Sequence, residues 1–254
     1  MMLALRITSP ENLDEPMTKI HTSREYETEL NAVKQRLWEM AQRVEQMLQD
    51  SVKSFDERNL DLAKATIQKD RRVNSDEIEL DELCLVILAR RQPLGMDLRF
   101  ITIALKMVTD LERVGDLAVN ICERVIKLGP GSTTLFFMPQ IKEMSNAVSI
   151  MLREAMEAFM TSNAVLAESV LSRDDRVDDM HHRMMRDLLH KMKSHEGDIE
   201  ALVHAQAIAK WLERAGDHCT NLAELVVFMV RGEDIRHMGK LDQRQMARID
   251  SILP

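Results

Sequence analysis

Leu111-Glu-Arg-Val-Gly-Asp-Leu-Ala-Val-Asn-Ile-Cys-Glu123 is answered downstream by Leu212-Glu-Arg-Ala-Gly-Asp-His-Cys-Thr-Asn-Leu-Ala-Glu224. At a shift of 101 residues, Glu112, Arg113, Gly115, Asp116, Asn120 and Glu123 recur as Glu213, Arg214, Gly216, Asp217, Asn221 and Glu224. Upstream, a shift of 104 pairs Met47 with Met151, Leu48 with Leu152, Phe55 with Phe159 and Asn59 with Asn163. The same shift pairs Leu62 with Leu166, Asp70 with Asp174, Arg72 with Arg176 and Val73 with Val177. An ordered series of this kind marks a duplication, and two long copies indicate paired domains rather than a solenoid, which stacks three or more units.

Both copies read as helix. Only eight glycines and six prolines interrupt 254 residues, aromatics make up 4%, and Leu, Ala, Met, Glu, Lys and Arg abound. That composition favours long helices over strands, which draw on β-branched and aromatic side chains. The first copy divides into helices over about Thr22 to Phe55, Asn59 to Arg91 and Asp97 to Leu128. Thr22 with Glu25 fits a capping box, Pro93 and Gly95 mark a turn, and Gly129-Pro130-Gly131 ends the copy. The second copy predicts helices over about Pro139 to Met160, Asn163 to Lys193 and Asp198 to Val230, with Gly197 and Gly232 as breaks. The expected fold is all-α, two tandem pseudo-symmetric antiparallel three-helix bundles. The expected divisions are an extension over 1–20, bundles over 21–129 and 130–232, and a tail over 233–254.

Several function classes fall away on composition. A net charge of −8 opposes binding to duplex nucleic acid, where affinity comes from neutralising phosphates. The apolar runs 84–89 and 225–230 are too short to span a bilayer, and no secretory signal is evident. Cys84, Cys122 and Cys219 lack CxxC spacing and read as buried, reduced thiols of a cytoplasmic protein. The nineteen methionines read as core filler and adaptable surface rather than a soft-metal site.

The acids carry the chemical signal. With Glu112 at zero on a helical wheel, Asp116 falls near about 40°, Glu123 near about 20° and Asn120 near about 80°. Ile101, Leu105, Val108, Val119 and Ile126 lie between about −40° and 20°. The acidic stripe therefore overlaps the core-facing stripe, and Glu213, Asp217, Asn221 and Glu224 repeat the arrangement. Asp70, Asn74 and Glu77 sit at i, i+4 and i+7 on the second helix, and Asp174, Asp178 and His181 on the fifth. Carboxylates crowded on one face near a core repel each other, and a bound cation converts that repulsion into shared coordination. Oxygen-rich sites without thiolates suit Mg, Mn, Ca or Fe more than structural zinc, with His181 the only obvious nitrogen donor. An ordinary solvated face, with Arg113 and Arg214 as local partners, is the competing reading. Gly115 and Gly216, mid-helix, suggest close helix approach beside the acids. Trp211 stands where the first copy has Asp110, so the two sites need not be equivalent. His182, His190, His195 and His204 read as surface or partner positions.

These residues resemble the PhoU family of phosphate-uptake regulators. The resemblance rests on Asp110-Leu-Glu-Arg-Val-Gly-Asp116 with Asn120, on its copy over Leu212 to Asn221, and on Arg91-Gln-Pro-Leu-Gly-Met-Asp-Leu-Arg99. It covers about residues 22 to 232. It implies E(D)xxxD motifs able to hold metal clusters, here Asp70, Glu112 and Asp116 in one half and Asp174, Asp178, Glu213 and Asp217 in the other. The metal would be a divalent or transition ion (Fe, Mn, Mg or Zn). Asn74 departs from the pattern, an amide where a carboxylate binds better. The resemblance further implies a negative regulator of the phosphate regulon with no enzymatic activity. Such a protein would link the ATPase subunit of a phosphate ABC transporter to a phosphate-sensing histidine kinase. Homodimerisation, and membrane association only through partners, are also expected.

Rival readings are a metal-free helical adaptor, a carboxylate-bridged metalloenzyme and a phosphotransfer bundle using His181 or His182. A ferritin-like di-iron site needs two Glu-x-x-His motifs. Only Asp178 to His181 is comparable, and neither a P-loop nor a nucleophile–base pair is present.

Overall fold

The structure, a computed structural model, describes residues 24–129, 137–195 and 198–232, and residue 235. Six helices account for almost all of them: α1 Arg24–Glu57, α2 Leu60–Arg91, α3 Met96–Leu128, α4 Met138–Thr161, α5 Ala164–Lys193 and α6 Ile199–Arg231. No strand occurs among the described residues. The expected capping residue Thr22 and the breaks at Pro130, Gly131 and Gly197 lie outside them.

The turns repeat as faithfully as the helices. Asn59 caps α2 by accepting a hydrogen bond from the Leu62 amide at 2.9 Å, and Asn163 caps α5 through Leu166 at 3.1 Å. Arg58 and Ser162, one residue before each cap, both take φ of +51°. A single left-handed residue followed by an asparagine cap reverses the chain in two residues. The asparagine amide also closes each preceding helix, bonding to Ser54 O and to Ala158 O at 2.9 Å.

Ion pairs show the helix directions. Across α1 and α2, Lys69 meets Asp50 at 2.7 Å, Arg43 meets Asp76 at 2.8 Å and Arg91 meets Glu29 at 2.8 Å. Numbers rise on one helix as they fall on the other, so the pair is antiparallel. Asp56 of α1 pairs with Lys142 of α4 at 2.6 Å, and Glu45 pairs with Arg153 further along. The bundles therefore also meet in antiparallel fashion, α1 against α4 and α3 against α6. α2 contacts only α1 and α3, and α5 only α4 and α6, so both lie on the outer flanks.

The core follows the apolar stripes. Leu37, Met40, Val44, Met47 and Leu48 of α1 and Met107, Leu111 and Val114 of α3 are fully buried. Met144, Val148 and Met151 of α4 occupy the matching register, so methionine does serve as core filler. Each such side chain contributes roughly 1.5–3 kcal/mol by leaving water. All three cysteines are buried and free, and burial pushes the Cys84 thiol up to about 12 and the Cys122 thiol up to about 11. They are unreactive packing groups. His204, expected at the surface, is 6% exposed on the inner face of α6, where burial lowers its pKa.

Candidate metal centre

On the seam between α2 and α3, the antiparallel register brings Asp70 and Glu77 opposite Asp116 and Glu112. Glu112 is held above its ordinary range by burial, then by the charges of Asp116, Glu77 and Asp70. Asp70 is raised by burial and by Asp116, and Glu77 by burial, Asp81 and Asp116. One Asp70 oxygen accepts from the Asn74 amide at 3.0 Å, while Oδ1 is buried with no hydrogen-bond partner. Arg113 partly relieves the crowding, reaching Asp116 at 3.1 Å and Glu112 at 3.5 Å.

The seam between α5 and α6 carries the second cluster. Burial, with Asp178 and Asp217 nearby, pushes Asp174 up to about 6. Asp217 is raised by desolvation of its carboxyl, then by Glu213 and Asp178. His181, in the register of Glu77, faces Glu213 and Asp178; burial lowers its pKa, and its Nε2 has no hydrogen-bond partner. Both oxygens of Glu213 lie 2.7 Å from the Lys210 ammonium. The seven candidate ligands divide between the two bundles, those of each bundle within electrostatic reach of one another, with Glu77 beside the first group and His181 beside the second.

Among the described residues, no three His, Cys, Asp or Glu side chains converge closely enough to form a ready-made cage. The donor chemistry nonetheless fits a hard or borderline cation: crowded carboxyls with raised pKa values, a buried orphan oxygen at Asp70 and a buried orphan nitrogen at His181. Lys210 and Arg113 would have to yield their carboxylates.

The mid-helix glycines stand against these acids in both halves. A Cβ built at Gly115 would lie 3.5 Å from Val73 Cγ1 and 3.7 Å from Asp70 Oδ1. At Gly216 the neighbours are Val177 Cγ1 and Asp174 Oδ1, at the same two distances. These are ordinary contact distances, so the approach is looser than the sequence suggested and a methyl group fits. Gly115→Ala is expected to raise stability by ~0.5–1 kcal/mol through helix propensity, lifting Tm by ~1–4 °C. A drop in Tm on thermal unfolding would show that the helices cannot accept the methyl.

The PhoU domain matches residues 37–125 and 141–226, one copy in each bundle. The chain belongs to the PhoU family. It is 36% identical over 219 residues to the phosphate-specific transport system accessory protein PhoU homolog of Pseudomonas putida, covering 86% of each chain. To the accessory protein PhoU of Escherichia coli (strain K12) it is 31% identical over 220 residues, covering 86% of this chain and 90% of that one. The crystal structure of PhoU from Pseudomonas aeruginosa superimposes with a TM-score of 0.78 at 34% identity, over 82% of this chain and 100% of that one. PhoU from Streptococcus pneumoniae gives 0.77 at 25% identity, over 83% and 99%.

Within this chain, the exchange of Asp110 for Trp211 between copies acquires a structural meaning. Asp110 accepts hydrogen bonds from His218 Nδ1 at 2.8 Å and Asn221 Nδ2 at 3.2 Å, across the joint between α3 and α6. On the other side of the joint Trp211 lies beneath the Arg124 guanidinium, 5.3 Å from the ring centroid. Sequence reasoning registered the mismatch at 110 and 211 but not the partners, which come from the opposite bundle.

Proposed function

We propose that this protein is a negative regulator of phosphate uptake, a cytoplasmic and non-enzymatic adaptor. It would link the ATPase subunit of a phosphate ABC transporter to a phosphate-sensing histidine kinase and work as a homodimer. The observation that carries this reading is the family match over both bundles, with relatives named as accessory proteins of phosphate-specific transport. No helix among the described residues is long and apolar enough to cross a membrane, which suits association with membranes through partners. The acidic balance of the chain disfavours nucleic acid.

Deleting the gene in its host tests the regulatory role. Alkaline phosphatase activity in phosphate-rich medium is expected to rise to the level of starved cells. Activity that stays low in the deletion strain would refute the assignment.

Divalent or transition ions (Fe, Mn, Mg or Zn) are proposed at Asp70, Glu112 and Asp116, and at Asp174, Asp178, Glu213 and Asp217. A bound ion supplies positive charge where carboxylates are crowded and half-desolvated. This chain's own contribution is to hold the acids in antiparallel register and leave Asp70 Oδ1 and His181 Nε2 free to coordinate. Elemental analysis of protein purified without chelators is expected to find metal in the native chain. The Asp116→Ala/Asp217→Ala variant should lose most of it, and equal, negligible content in both would defeat the proposal. The second reading is a metal-free adaptor, favoured by Arg113 and Lys210, which already neutralise part of each cluster.

A further inference from the structure

We propose that residues 236–254 of this chain dock in the groove where the two bundles meet beside the end of α6. The groove has a volume of 270 Å3 and belongs to neither bundle, with Leu30 of α1 and Phe100 of α3 on one side and Met229 and Val230 of α6 on the other. Two carboxylates, Glu27 and Asp97, and one ammonium, Lys34, also line it. Of the nearby cations, the Lys34 ammonium lies 5.6 Å over the Phe100 ring and the Arg99 guanidinium sits against Gly232 at the end of α6.

The chain is delivered to this place. Gly232 closes α6 in the left-handed conformation, with φ of +76°, and Ile235 packs against the core. Val230, in the groove wall, is two residues before that turn. Ile235 is five residues beyond Val230, so the segment that follows it begins within a short reach of the groove wall.

The segment has the composition to fill it. Arg236, Lys240, Arg244 and Arg248 recur at every fourth position. On a helical wheel they span about 0–120°, while Met238, Leu241, Ile249 and Ile252 fall between about 140° and 220°. A basic face thus adjoins an apolar face, and the groove offers carboxylates beside an apolar floor. With Asp242 and Asp250 included, the segment carries a net +2, while residues 1–235 carry −10. Opposite charge favours return of the segment to its own body over release, and tethering raises its local concentration to the millimolar range, on the order of 1 mM.

Hydrogen exchange of the full chain tests the docking, read on the amides of residues 236–254. In the wild-type chain these amides are expected to exchange at least ~10-fold more slowly than an unstructured peptide. Glu27→Lys/Asp97→Lys should abolish that slowing, and adding Arg244→Glu/Arg248→Glu should restore it. Because Asp97 also holds the Tyr26 hydroxyl, Glu27→Lys alone provides a second variant at an exposed position, with a smaller loss expected. Unprotected amides in the wild type would overturn the proposal, as would protection indifferent to charge reversal. Protection that vanishes on dilution would assign the segment to a second copy. Protection seen only with vesicles of anionic phospholipid would assign it to a membrane. Either result refutes docking within the chain.

Discussion

Phe159→Ala is expected to destabilise the protein by about 4 kcal/mol. Phe159 is fully buried near the end of α4, and its ring stacks on Phe100 of α3 at 5.6 Å with an interplanar angle of 11°. Truncation therefore leaves a cavity within the second bundle and removes a contact that crosses to the first. Aromatic transfer and the residual void together give the ~3–5 kcal/mol range, and the ring pair adds about 1 kcal/mol to what area alone supplies. Urea unfolding measures the loss. The midpoint should fall while the slope stays unchanged, because the surface exposed on unfolding is the same. Phe55, in the same register of the first copy and 5% exposed, provides the comparison. A loss at Phe159 of under ~2 kcal/mol would mean that the surrounding side chains collapse into the space.

The second large effect is one of pH. In chelator-treated protein, Asp174→Asn is expected to be more stable than the wild type at about pH 7.5 and equal to it near about pH 3. Burial raises the Asp174 carboxyl from 3.8 to about 6 in the folded state. Between those values the folded chain binds a proton that the unfolded chain has lost, so stability falls as pH rises through the window. Below the unfolded value the carboxyl is neutral in both states and the asparagine confers no advantage. Two units correspond to ~3 kcal/mol, and partial access of water reduces the usable effect to ~1–2 kcal/mol. Comparing two proteins at each pH cancels the opposing contributions of His181 and His204. Burial lowers the pKa of both imidazoles, so they disfavour the folded state as pH falls below their ordinary value. A stability difference that is constant with pH would show that Asp174 carries no burial penalty. Restoring divalent metal should erase the asparagine's advantage at high pH, because the ion stabilises the charged carboxylate.

Much of this molecule was legible in the chain because its information is periodic and local. The two shifts, 101 and 104, located both copies and the three helices in each. The helix starts at Asn59, Asn163 and Asp198 were readable, and each side chain caps its helix by accepting from the second or third helical amide within its own turn. The acids followed from the same geometry: a carboxylate four residues from another, within the angular range of the core stripe, must sit on a seam between helices. Asp174, four residues before Asp178, shows it, lying against Gly216 of the facing helix in its own bundle.

The partners across the seams could not be read this way. That His218 reaches Asp110, or that Phe100 stacks on Phe159, depends on residues far apart in sequence and on how the two bundles slide against each other. His204 lacks any mark distinguishing it from the exposed histidines, because a polar residue beside an apolar stripe is buried only when a neighbouring element covers it. By itself the sequence determined the duplication, the six helices and the faces on which the acids lie, since hydrophobic period and capping act over a few residues. Only the tertiary structure decided which acids oppose which, what neutralises them and where a groove remains. Those depend on packing between elements, where position in space rather than order along the chain determines the contact.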